Sequence, residues 1–137
     1  MLIDFHAHVH DDEDGKYTRE LVREARRIGI DYLVIHEPVS HSRDSLEVVQ
    51  RCNDLTFRTY EREPEYFIPF VYTHPNLGQA ALDEVKRGFD RGARGIKLEV
   101  ASIITDKCLE PIIEEAITRD VPMVQHTWHK VTGNLRW

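Results

Sequence analysis

The chain has 137 residues, 41% hydrophobic and 31% charged, with 7 Gly, 6 Pro and a net charge of −6 at neutral pH. This composition excludes a disordered or collagen-like chain and a disulfide-stapled miniprotein, and its acidity argues against a nucleic-acid backbone as partner. No stretch approaches the roughly 20 apolar residues of a membrane span, and the opening residues lack the apolar core of a secretory signal.

Taken in chain order, the periodicity repeats one unit. Residues 2–8 read as a strand with one functional face, and residues 17–29 as a helix with Leu21, Val22, Ala25 and Ile28 at helical spacing and Gly29 as its C-terminal cap. Residues 32–36 form a second strand. Residues 42–61 form a second helix, with Leu46, Val49, Leu55 and Phe57 among charges. A third strand (66–73), a third helix (77–91), a fourth strand (94–100), a fourth helix (106–119, with Pro111 in its first half) and a fifth strand (121–126) complete the pattern. Strands alternating with helices at this spacing predict a parallel sheet in one α/β domain spanning residues 1–137. About five βα units are too few to close a (β/α)₈ barrel. Cys52 and Cys108 lie far apart within helical patterns and read as reduced thiols, which places the protein in the cytoplasm.

The 8 histidines carry most of the chemistry. Strict alternation puts Asp4, His6 and His8 on one strand face and Ile3, Phe5 and Ala7 on the other. Two imidazoles at i and i+2, at the C-terminal end of a first strand, can converge on one metal ion. The pair alone is a weak motif, since solvent-facing histidines give the same pattern. His36, His74 and His126, however, each close a further strand at the end where parallel α/β folds build their sites. His126 is the best third ligand, and three imidazoles leave positions open for water and substrate. His36 and His74, each followed closely by a proline, read as strand-end residues in turns that could line a pocket. His129, just beyond His126, is near enough to touch substrate. Lys97 sits inside a strand between Ile96 and Leu98 and must reach the polar mouth or find a charge partner. It reads equally as a substrate anchor and as an ion-pair partner of Asp4 or Glu99, with carbamylation to bridge two metals as a further reading. The acidic run at residues 11–14 fails the calcium-loop pattern, because His10 and Leu21 stand at its first and twelfth positions. No GxSxG, P-loop or GxGxxG occurs.

These residues resemble the metal-dependent amidohydrolase superfamily, in its amidohydrolase-related branch that includes aminocarboxymuconate-semialdehyde decarboxylase-like proteins. Ile3-Asp4-Phe5-His6-Ala7-His8 is similar to the family's first-strand D-x-H-x-H, and Pro69-Phe70-Val71 through Pro75 to its third strand. Arg91-Gly92-Ala93-Arg94-Gly95-Ile96-Lys97-Leu98 resembles its G-A-R-G-[IV]-K-L segment, and Val121 to Trp128 with Thr132-Gly133-Asn134 its fifth strand and following loop. The resemblance implies a TIM-barrel (β/α)₈-type metal-dependent hydrolase fold of which about the first five βα units are present. It implies His6, His8 and His126 as metal ligands; Lys97 and His129, from the reading of the residues above, stand beside them as the catalytic candidates. The ion would be divalent, zinc foremost with manganese or iron as alternatives, and would activate water or polarise a carbonyl or carboxylate of a small-molecule substrate. The family's sixth-strand histidine and eighth-strand aspartate have no counterpart here, which leaves turnover by this chain open.

Two other readings stand beside the hydrolase or decarboxylase. One is a non-catalytic truncated fragment acting only as an oligomer, because an open half-barrel exposes sheet edges. The other is a metal-dependent phosphoesterase of the polymerase-and-histidinol-phosphatase type, which shares HxH, Asp14-Gly15 and Gly29-Ile30-Asp31 but expects T-D-H where Ile35-His36-Glu37 stands. The expected partners are a small molecule and further copies of the chain, with neither nucleic acid nor membrane.

Overall fold

The computed structural model describes residues 1–10, 13–37, 45–98 and 105–126. Five strands, β1 (Ile3–His8), β2 (Tyr32–His36), β3 (Phe67–Thr73), β4 (Gly95–Leu98) and β5 (Met123–Gln125), alternate with four helices. These are α1 (Lys16–Arg27), α2 (Leu46–Arg62), α3 (Gln79–Asp90) and α4 (Glu110–Arg119). Short 3-10 turns precede α3 (Pro75–Leu77) and α4 (Lys107–Leu109), so Pro111 falls in the first turn of α4, where its missing N–H costs nothing. The sheet runs β1-β2-β3-β4-β5 with every neighbouring pair parallel. This is the expected partial (β/α)₈ barrel. No helix among the described residues is long and apolar enough to cross a membrane.

Alternation along the strands divides the side chains between two faces. Leu33 and Ile35 of β2, Phe67 and Val71 of β3, and Ile96 and Leu98 of β4 pack in two buried clusters with apolar residues of the helices, among them Val22, Ala25, Phe57, Val85 and Ile112. Each such side chain taken from water contributes about 1.5–3 kcal/mol. The other face carries Val34 and His36 of β2, and Phe70 and Tyr72 of β3 in register with Gly95 and Lys97 of β4. Two glycines permit this packing. A Cβ on Gly88 of α3 would lie 2.4 Å from Val71, and one on Gly95 would lie 2.4 Å from the Phe70 ring.

Helix ends close in the expected way. Gly29 (φ 84°) lets Ile30 N–H reach Ala25 carbonyl and its own N–H reach Arg26, and Gly92 (φ 100°) does the same for α3 with Ala93 and Gly88.

The buried face of α2 is the departure. Leu46 and Leu55 are half-buried, while Asn53, Thr56 and Thr59 are buried. The pairing of β2 with β3 ends at Ile35 and Pro69, and beyond it Asn53 takes the place of a strand. Its amide donates to Tyr72 carbonyl at 2.9 Å and its carbonyl accepts Tyr72 N–H at 2.7 Å. The amide also donates to Glu84 of α3 at 2.7 Å, and Arg87 grips that carboxylate through two bonds at 2.7 and 2.8 Å. One turn on, Thr56 Oγ1 accepts Glu37 N–H at 2.9 Å. A polar stripe on one helix therefore holds the C-terminal ends of both β2 and β3.

Candidate metal centre

The first strand does not alternate strictly. Asp4 pairs in register with Leu33 and Ala7 with Ile35, so β1 uses three steps where β2 uses two. This is a β-bulge, a single extra residue that re-aims side chains. Asp4 thereby leaves the imidazole face for the row of Leu33, and its carboxylate turns back to accept His6 N–H at 3.1 Å. Phe5 joins the inner face instead, its ring meeting Phe70 edge-on at 5.5 Å. The expectation that Asp4 shares a face with His6 and His8 fails for this reason.

His6 and His8 do converge, with ring centroids 4.9 Å apart. His8 lies in direct register with His36, and their rings are 4.8 Å apart, which is the spacing of neighbouring strands. His36 is also 4.8 Å from His6. One nitrogen from each of His6, His8 and His36 falls within 4.8 Å of the others. Nitrogens bonded to one ion at about 2.0–2.1 Å would stand closer together than this, so the rings would draw inward on binding; three imidazoles are a donor set of the kind a divalent ion such as zinc takes. His126 follows β5, fastened by its N–H to Leu98 carbonyl at 2.9 Å, and its ring lies 6.1 Å from His6. The structure therefore brings the three predicted ligands to one end of the sheet, and adds His36, which the sequence had suggested as a turn residue.

Lys97 is fully buried on the same face, in register with Tyr72 and Val124. Burial first, then the Lys97 charge, lowers the His6 imidazole below its ordinary 6.5, with His8 and His126 acting in the same sense and Asp4 against. The same order of causes carries His36 down to about 2. Both causes disfavour the protonated ring, and the neutral form is the one that ligates metal. His74 is buried at the end of β3 beside the Pro75–Leu77 turn and outside the convergent group, and His10 stacks on Tyr17 at 5.0 Å. His129, His41 and Glu99 lie outside the described residues.

Glu37, next to His36, has its carboxyl raised by burial from 4.5 to about 7. Between those values the unfolded chain binds fewer protons than the folded one, so this group lowers stability as pH rises. Glu37→Gln should gain about 1–2 kcal/mol at about pH 8, after discounting for partial exposure, and little near pH 4. Thermal unfolding of metal-free protein at both pH values measures this. His36 acts in the opposite sense: neutral when folded, it costs stability as pH falls below 6.5.

No protein-family model and no curated protein sequence matches the chain. Solved structures do. A 2,6-dihydroxybenzoate decarboxylase from Rhizobium matches with TM-score 0.76 at 18% identity over 98% of this chain and 52% of its own. 4-Oxalomesaconate hydratase from Rhodopseudomonas palustris matches with TM-score 0.73 at 18% identity over 92% of this chain and 52% of its own. A 5-carboxyvanillate decarboxylase from Novosphingobium aromaticivorans with bound manganese matches with TM-score 0.65 at 16% identity, over 90% and 49%. The chain spans about half the length of the structures it matches. At these identities the likeness establishes the fold, the half-barrel of such enzymes.

Proposed function

We propose that this chain forms a divalent-metal centre of amidohydrolase type that acts on a small carbonyl or carboxylate compound by hydrolysis or decarboxylation. The observation that carries the reading is the convergence of the β1 imidazoles His6 and His8 at the C-terminal end of a parallel barrel sheet. His6 and His8 would hold the ion with His126 as third donor, and zinc suits all-imidazole ligation, with manganese and iron as alternatives. When bound, such an ion supplies Lewis acidity toward a carbonyl or an acidified water.

The chain's own residues would do the rest. Lys97 places a fixed positive charge on the inner face, which favours a substrate bearing a carboxylate. The Phe5–Phe70 pair would offer an apolar surface beside the group. His129, three residues beyond His126 in the sequence, would contact the substrate.

Two free cysteines, Cys52 buried and Cys108 half-buried, support a reducing cytoplasmic setting. Exposed Leu2, just before β1, and Phe5 on β1, an edge of the described sheet, support self-association.

The test is to dialyse the purified protein against Zn²⁺ or Mn²⁺, count retained ions by mass spectrometry, and assay the loaded protein on small aromatic carboxylates and esters. One ion per chain with turnover is the expected result. A chain that retains no ion overturns the proposal.

A further inference from the structure

We infer that His36, at the end of β2, is itself a ligand of the ion held by His6 and His8, its ring 4.8 Å from each of theirs. The inference rests on the metal reading proposed above and adds a residue to it. His36 is 0% exposed, and neither of its ring nitrogens has a hydrogen-bond partner among the described residues. A histidine that merely fills a core has at least one nitrogen bonded to a carbonyl, hydroxyl or water, because burying a bare polar atom is costly. The rings that meet His36 are instead two more imidazoles, with Lys97 on the same face.

The register explains the convergence. His8 and His36 are direct neighbours across β1 and β2, and the bulge in β1 brings His6 to the same distance. One divalent ion would satisfy a nitrogen of all three rings at once. Position is enforced from behind: the next residue, Glu37, is tied through its N–H to Thr56 of α2. The backbone at the β2 end is therefore held in place from behind, and it is the His36 ring that would turn to meet an ion.

The experiment uses the whole chain with Zn²⁺ and Co²⁺ as probes. Affinity is measured by competition with a chromophoric chelator for wild type, for His6→Ala with His8→Ala, and for His36→Phe, which keeps ring volume without nitrogen donors. Circular dichroism checks that each variant folds. His36→Phe should weaken Zn²⁺ binding by more than about 100-fold, above the range expected for an outer-shell partner. It should also change the visible spectrum of bound Co²⁺.

A second readout needs no variant at His36. In wild type, a ring nitrogen of His36, assigned through its own backbone, should shift in ¹⁵N correlation spectra on adding Zn²⁺. Wild-type chain that takes up no Zn²⁺ overturns the metal reading as a whole. Uptake that depends on His6 and His8 while the His36 ring stays unmoved overturns this inference alone.

Discussion

Alanine at both His6 and His8 should abolish retention of a divalent ion, lowering affinity well beyond the 10–100-fold that an outer-shell residue commands. The two rings lie 4.9 Å apart and belong to the group whose nitrogens fall within 4.8 Å of one another. Removing both leaves His36 and His126, on strands at a distance from each other in the sheet order, and two imidazoles without an anchoring pair make a poor site. The loss should be one of binding rather than of folding. His6 is exposed and His8 half-buried, so little core packing leaves with them. The wild-type affinity should in turn be cushioned against mild acid, because burial and the Lys97 charge lower the His6 and His36 imidazoles and so disfavour their protonation. Ion counting after dialysis, with thermal unfolding of metal-free protein as control, measures both halves of the expectation. A double variant that holds its ion normally would sink the site.

Asn53→Ala should be the most damaging single substitution in the scaffold, at about 3–5 kcal/mol, a large part of the roughly 5–15 kcal/mol a domain has in total. The side chain meets three buried groups: Tyr72 N–H, Tyr72 carbonyl and the Glu84 carboxylate. Each buried polar group left bare costs about 1–3 kcal/mol, and a charged one more. Asn53→Asp should fare no better. It could still accept from Tyr72 N–H, but it cannot donate, and it sets a second negative charge against Glu84. Urea unfolding measures the loss, and a cost under about 1 kcal/mol would show that α2 does not hold the β3 end as described.

What the sequence disclosed and what it hid divide along physical lines. Apolar runs and helical spacing placed all five strands and four helices, because strand and helix periods are local. Gly29 and Gly92 marked helix ends, because the left-handed turn they adopt is also local. Asn53, Thr56 and Thr59 gave no such sign. A reading of α2 by hydrophobic spacing turns Leu46 and Leu55 inward, whereas the strand ends behind α2 need donors and acceptors. His6, His8 and His126 were visible because each stands at the site-bearing end of a strand. His36 shared that position, but the nearby Pro38 made it look like part of a turn. Its place beside His8 depends on how β1 and β2 align, which no local pattern encodes. The bulge in β1 escaped for the same reason, and Asp4 was assigned to the wrong face.

That bulge lets a single strand serve two tiers of the barrel. With plain alternation, β1 would offer the inner face only every second residue, and an aromatic and an imidazole could not stand there side by side. The inserted residue gives Phe5 a seat in the lower tier, against a Phe70 ring that lies over Gly95 where a methyl group could not fit. His6 and His8 keep the upper tier. Whatever charge gathers among the imidazoles therefore has hydrocarbon on the side of the buried Phe70 ring. Attraction and repulsion there are felt at a lower effective dielectric than bulk solvent would impose.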